Sequence, residues 1–404
     1  MEKTNRKPWL FAIVIIALCA TVVTGVIVAR LAFAKPAIAF YGLRPDVIAE
    51  LTRLKGGFRQ IALDPDKPLA AQSKALARCS LVFTDNIASA SDEGLVLRWE
   101  TDARDLGAGR GLMPSAIRRI GTVEGEPNGS AYAIPILLDH FELACSIDLL
   151  PALGDSREAS LERLLKVANG RRSAGHWPIV CAGGNDENIL LLVSALAEAK
   201  FGAEGRDRVA SALRGGESFA TALNSTPLRA TLDELVAWRK EGIIHPEWFR
   251  MTLADVRAFL EAGNCDIAYM TLSDRRTMPS KTMSRFSSLP IPASASVKGP
   301  RELAVPAIVA FVPKGNKANP SVMAFLARLV APEAQGSLSR ATGLAPVNST
   351  ADTRDIQAYN VRLWAASCAR PVSDVASEAV ADPEAAARLA RDIRGYIESN
   401  GTGF

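Results

Sequence analysis

Residues 129–150 read GSAYAIPILLDHFELACSIDLL, and the fold turns on how this stretch is taken. A turn of small residues at Gly129-Ser130 leads into an apolar run, Ala131 to Leu138, interrupted by Pro135. Proline has no amide hydrogen to give to a ladder, so the run predicts an edge strand or a crossing segment rather than mid-sheet. The polar pair Asp139-His140 follows, and a second apolar run ends in Asp148-Leu149-Leu150. A strand that leaves one apolar environment, shows a polar pair and enters another predicts a hinge between two lobes.

Length and composition allow that reading. A chain of 404 residues is too long for one simple core and fits two domains. With 48% hydrophobic and 22% charged residues it has the balance of a folded globular protein. A net charge of +4, with no Lys/Arg block interleaved with aromatics, argues against nucleic-acid binding.

The first 34 residues form a separate segment. Lys3, Arg6 and Lys7 precede an apolar run from Trp9 to Ala29, long enough to cross a bilayer as a helix. The basic flank places the rest of the chain outside the cytoplasm. Ala32-Phe33-Ala34 also offers a cleavage site, so retained anchor and cleaved signal both stand. Leu18 before Cys19 disfavours lipidation there. Beyond the anchor, Cys79, Cys145, Cys181, Cys265 and Cys368 are scattered without metal spacing, as buried apolar residues are.

Strand and helix patterns then alternate. Ala37 to Tyr41, Arg59 to Leu63 and Ser80 to Phe83 read as strands, separated by helical runs at Pro45–Leu54 and Pro68–Arg78. Past the hinge come a helix at Ser160–Ala168, a strand at Trp177–Ala182 and a helix from Asn188 to Lys200 ending at Phe201-Gly202. A helix at Leu228–Glu241, another at Ala254–Gly263 and the strand Cys265–Met270 complete that half. Such alternation predicts an α/β protein with mostly parallel sheets flanked by helices, its ligand site beyond the strands' C-terminal ends.

At this point the chain resembles a family. YAIPILLDHFELACSIDLL is similar to the crossover of the maltose-binding-like extracellular solute-binding proteins that feed ABC importers. Those carry a Tyr-Gly-Ile-Pro strand, a polar or aromatic residue, a Leu-Tyr-Tyr-Asn run and a lobe-starting Asp-Leu. The run from Phe259 to Met270 resembles the family's "Phe-x-x-Gly-x-Ala-Ala-Met" block. Ser288-Leu289-Pro290-Ile291-Pro292 resembles its Pro-x-Pro segment, Pro332-Glu333-Ala334-Gln335 its "Ser-Pro-Glu-x-Gln" signature, and Gly343 to Pro346 its "Gly-x-x-Pro" crossing. The resemblance covers nearly everything from Ala37 onward and implies a two-lobed periplasmic-binding-protein fold with crossing hinge strands. It divides the chain into an anchor at 1–34 and a first lobe at 35–136. The second lobe takes 137–302, the first resumes at 303–344, and the second lobe and C-terminal helices take 345–404.

Catalytic patterns are missing by contrast. His140, His176 and His245 stand far apart, and neither a G-x-S-x-G nor a phosphate-loop motif occurs, so no enzyme, metal or cofactor is expected. A binding cleft needs only polar loop tips. The first lobe offers Tyr41, Asp85 and Asn86, the hinge Asp139 and His140, and the second lobe Gly184, Asn185, Ser273 and Asp274. Each is equally a common turn former, but Asp85 and Asp274 add that an unpaired cleft carboxylate needs a hydroxyl or a cation to meet it. Asp274 stands where the family often has Trp, and Trp99, Trp238, Trp248 and Trp364 read as core, which disfavours a long oligosaccharide. The resemblance implies a monomeric receptor, exported or tethered by its N-terminal segment, that captures a small carbohydrate or polyol and hands it to ABC permease subunits. A membrane-tethered sensor of the same fold is the alternative, and an exported enzyme a more distant one.

Overall fold

The computed structural model describes residues 36–85, 96, 99–102, 130–131, 133–139, 141–154, 159–214, 218–297, 303–304, 307–316, 320–367, 371–372 and 383–402. The N-terminal segment, Asn86, His140 and Cys368 lie outside them, as do the polar, Gly-rich stretch 107–111 and the stretch 114–120, PSAIRRI, which reads as helical.

The first lobe begins with β1 (Ala37–Tyr41), buried along its whole length, as expected of a strand covered on both faces. Helix α1 (Pro45–Leu54) follows with its proline in the first turn, where the missing amide hydrogen costs nothing. Strands β2 (Arg59–Ala62) and β3 (Leu81–Thr84) pair in parallel with either side of β1. The crossing strand is β4 (Ala133–Leu138), and β5 (Phe141–Ser146) opens the second sheet two residues later.

The second lobe continues with α2 (Leu161–Arg171), β6 (Trp177–Cys181), α3 (Asp186–Arg214), α4 (Thr226–Glu241) and α5 (Leu253–Ala262). Strand β7 (Cys265–Thr271), the short helix α6 (Leu272–Thr277) and β8 (Phe286–Leu289) lead back toward the first lobe. There β9 (Ala307–Phe311), α7 (Pro320–Leu329), α8 (Pro332–Thr342) and β10 (Ala345–Pro346) follow. Helices α9 (Ile356–Ser367) and α10 (Pro383–Glu398) end the described chain.

The first sheet has the order β10-β4-β9-β3-β1-β2 and the second β8-β5-β7-β6. In each sheet most strands point one way. The exceptions are β9, antiparallel to both β3 and β4, the short β10, antiparallel to β4, and β5, antiparallel to both β8 and β7. For β9 and β5 the chain arrives from the other lobe and enters from the opposite end, which reverses it.

Two differences from the sequence reading are informative. The apolar run Leu303–Val312, LAVPAIVAFV, reads as one strand, but it is split: Leu303–Ala304 pairs with Pro371–Val372, and only 307–311 joins the main sheet. The long helix does not stop at Gly202. The backbone leaves helical geometry there, with φ 68° and ψ −171°, and the helix resumes to Arg214. A residue with a Cβ adopts that conformation only under strain, so glycine marks a break within the helix rather than its end.

Two apolar cores result. One gathers β1, β3, β4, β9, α7 and α8 with Ala358, Val361 and Ala365 of α9. The other gathers β5, β6, β7, α3, α4 and α5 with Leu389, Ala390, Ile393 and Ile397 of α10. The two C-terminal helices thus pack on different cores, α9 on the first and α10 on the second.

Pro135 shows how β4 lies between two partners. It faces Val309 where the ladder with β9 shifts register, and β10 pairs only with Leu137 and Leu138 beyond it. The shift leaves Ile136 without a partner residue in β9, and the Gln335 side-chain amide donates to its carbonyl at 3.0 Å. The same amide donates to the Leu329 carbonyl at 2.9 Å, and its oxygen accepts from Val347 N at 2.9 Å. Gln335 is fully buried, so Gln335→Leu strands three buried backbone groups at once. We expect it to cost about 3 kcal/mol in a denaturant titration of the full chain. A loss under about 0.5 kcal/mol, the scale of an inert surface change, contradicts this role.

Candidate functional site

Strand direction defines the site. The C-terminal ends of β1, β3 and β4 share one edge of the first sheet, and those of β6, β7 and β8 share one edge of the second. Only Asp139 and His140 separate β4 from β5, so the two edges face each other across that link. On the β10 and β8 side the lobes are tied: Gln357 of α9 accepts at 2.9 Å from the buried Ser288 N and also takes the Ser288 hydroxyl. On the other side the ends of β1 and β3 oppose those of β6 and β7, and this is the candidate cleft.

The second-lobe wall is built by the start of α6. Thr271 caps it in a reciprocal box, its hydroxyl accepting from Asp274 N at 3.0 Å while the Asp274 carboxylate returns to Thr271 N. The same carboxylate oxygen accepts from the Asn188 side-chain amide at 3.1 Å. Asp139 reaches from the hinge to the same turn, accepting from Ser273 N at 3.1 Å and from the Ser273 hydroxyl. Between them Leu272, 3% exposed, packs into the first lobe's core, and Arg276 donates to the first-lobe carbonyl of Arg340 at 3.3 Å.

The structure thus brings Asp139, Ser273 and Asp274 together and disperses the other expected residues. Tyr41 belongs to the first core, 4% exposed, with its hydroxyl donating to the Lys67 carbonyl at 3.1 Å. Asp85 stands at the cleft edge against Gly42, where an added Cβ would come within 2.4 Å of its carboxylate oxygen. Gly184 is packed on the backbone of Arg250 and Met251, and its carbonyl accepts from Arg394 at 3.0 Å. Asn185 accepts from Glu187 N and Asn188 N, so its side chain serves the start of α3. Asp274 departs most from expectation: its carboxylate is not unpaired, since one oxygen is engaged by Thr271 and Asn188.

Two residues escaped the sequence reading. Asn188 stands in the first turn after the Gly183-Gly184 bend, a position that the end of β6 already nominated. Arg44, just past the end of β1, carries positive charge toward both Asp139 and Asp274, pairs with Asp46 at 2.6 Å and donates to the Thr342 carbonyl at 3.0 Å.

The histidines have other work. His245 lies edge-on between Trp177 and Phe259, its Nδ1 accepting from Glu247 N, and burial lowers its pKa. His176 sits 3.4 Å from Asp266, which also holds Arg171. Among the described residues no three His, Cys, Asp or Glu side chains are grouped to hold a metal. Cys79, Cys145, Cys181 and Cys265 are buried free thiols, and burial raises the pKa of each. Trp248 and Trp238 are core residues, while Trp364 lines a cavity of about 310 Å³ with Asn360, Pro290 and Pro292 on the tied side.

No protein-family model matches the sequence, and no curated protein matches it. Solved structures do. The bacterial solute receptor AcbH, described as exclusively preferring β-D-galactopyranose, aligns with a TM-score of 0.73 at 14% identity over 91% of this chain and 93% of its own. A cyclo/maltodextrin-binding protein complexed with maltotetraose aligns at 0.58, with 13% identity over 92% of this chain and 98% of its own. A family 1 extracellular solute-binding protein from Bifidobacterium longum subsp. infantis aligns at 0.57, with 16% identity over 91% and 97%. The fold is that of the two-lobed bacterial solute-binding proteins.

In this solute-binding fold the hinge carboxylate has an unusual titration. Burial, opposed by the two Ser273 hydrogen bonds and by Arg44, pushes Asp139 from 3.8 up to about 6. Asp274 is also raised, again chiefly by burial. An acid whose pKa is higher folded than unfolded holds its proton better in the folded state. Its contribution is therefore full below about pH 4 and is lost as pH rises through 6, on the order of 3 kcal/mol. Asp139→Asn removes this titration while keeping an acceptor for Ser273. We expect the stability difference, variant minus wild type, to grow in the variant's favour between pH 4 and pH 7. A difference flat across that range contradicts the assignment.

Proposed function

We propose that this chain is an extracytoplasmic solute-binding protein that captures a small carbohydrate or polyol between its lobes and delivers it to an ABC permease. The observation that carries the reading is the pair of facing strand-end edges, each lined by polar side chains: Asp85 and Arg44 from the first lobe, Asn188 and Ser273 from the second. Carboxylate, amide and hydroxyl groups on both walls suit a ligand with hydroxyls around its whole rim, which can bond to the two lobes at once. A ligand touching both walls favours the closed state and shifts the hinge toward it. The sugar ligands of structures sharing the fold support the same class. The N-terminal segment holds the receptor at the outer face of the cytoplasmic membrane, where tethering raises its effective concentration at a permease.

The test is a thermal-shift screen of the detergent-solubilised full chain against sugars, polyols, amino acids and short peptides. A ligand at a hundred times its Kd adds about 2.7 kcal/mol of stability. We expect a monosaccharide or polyol to raise Tm, and Asp85→Ala and Asn188→Ala to weaken it by about tenfold each, the worth of one hydrogen bond. A shift confined to amino acids or peptides replaces the ligand class. No shift with any compound contradicts solute capture.

A further inference from the structure

The end of the first lobe farthest from the cleft carries a group of cations that the solute reading does not use. Arg59 begins β2 beside Ala37, Arg78 precedes β3, and both bear on Cys79 between them. Lys55 follows α1, and Arg328 donates to the Leu54 carbonyl at 2.6 Å, which brings the end of α7 to the same place. Lys74 lies in the turn before Cys79. Lys314 follows β9 in a loop held there by Asn316, whose amide donates to the Leu76 and Cys79 carbonyls. Arg59, Lys74, Arg78, Lys314 and Arg328 are exposed and Lys55 partly so.

Lys55, Arg59, Lys74, Arg78 and Arg328 make no ion pair with a described carboxylate. The second lobe pairs some of its surface cations, Arg171 with Asp266, Arg250 with Glu398, Arg257 with Glu261 and Arg394 with Asp186, while Lys166, Lys240 and Lys281 there also make no ion pair with a described carboxylate. Among the described residues on the elements that meet at this end, the carboxylates are Glu50, which Arg53 already holds at 2.5 Å, and Glu333 in the first turn of α8.

The chain enters the lobe at this end. Ala37 is the first residue of β1, and only residues 30–36 separate it from the apolar run ending at Ala29. Seven residues reach at most about 25 Å. We propose that this basic rim rests on the anionic headgroups of the bilayer that the N-terminal segment enters, and so sets the first lobe's orientation while the receptor is not docked on a permease. The cleft edge, a strand length or about 17 Å beyond, then stays open to solute, and delivery requires the rim to lift. Cations near an anionic surface are attracted to it, and salt screens the attraction within about 10 Å. This inference rests on the anchored reading of residues 1–34 but not on the identity of the solute.

The experiment uses the full chain in nanodiscs of neutral phosphatidylcholine or of phosphatidylcholine with 30% phosphatidylglycerol by design, about the anionic content that gives a substantial surface potential. Acylation of lysines by a water-soluble reagent is followed by mass spectrometry, with Lys166, Lys240 and Lys281 of the second lobe as controls. Lys55, Lys74 and Lys314 are expected to react roughly fivefold slower in the anionic discs, and at equal rates in both discs in high salt. Arg59→Glu combined with Arg78→Glu and Arg328→Glu is expected to abolish the protection while leaving Tm within a few degrees. Equal rates in the two discs at low salt, with the controls unchanged, overturn the rim. A chain that elutes apart from both discs overturns the anchor and the orientation with it.

Discussion

The structure depends on a chain that must leave one sheet and enter another without leaving its backbone groups unmet. Between Pro135 and Asp139 it cannot rely on ladder hydrogen bonds alone, because a proline and a register shift interrupt them. Side chains supply the difference. Gln335 meets the carbonyl of Ile136, and the Asp139 carboxylate meets the first turn of α6. Both lobes are anchored to the same few residues, so the hinge is held by fixed polar contacts at its ends and left short in between. Leu272 adds an apolar contact from the second lobe into the core of the first.

That arrangement places charge where the lobes meet. Asp139 and Asp274 are both held above their ordinary titration by burial, and Arg44 offsets part of that effect from the first lobe. Protonation and stability are therefore linked at this junction. A proton lowers the cost of a buried carboxylate and so stabilises the wall on which Ser273 and Asn188 stand.

Much of the fold was legible in the sequence because apolar periodicity and punctuation agreed. Helix Pro45–Leu54 and strand Ala37–Tyr41 have the bounds their patterns give. The hinge was legible because a proline in an apolar run has few places to go. The site was legible only in part. Asp139, Ser273 and Asp274 do meet, but their engagement with one another through α6 depends on a turn that brings distant residues together. Asn185 and Tyr41 show the opposite limit: the same residue types that suit a ligand also suit a helix start or a core hydroxyl with a local partner. Asn188 and Arg44 were hidden because nothing in their neighbours sets them apart before strand direction is known.

The central claim is that the lobes close on a solute, and the distance between them tests it most directly. Spin labels at Asp66→Cys on the first lobe and Lys240→Cys on the second report that distance by pulsed electron resonance, the described native thiols being buried. With a sugar or polyol that raises Tm, the distance distribution is expected to narrow and shift to shorter values, and to return when the ligand is removed. A ligand that raises Tm while leaving the distribution unchanged contradicts capture between the lobes.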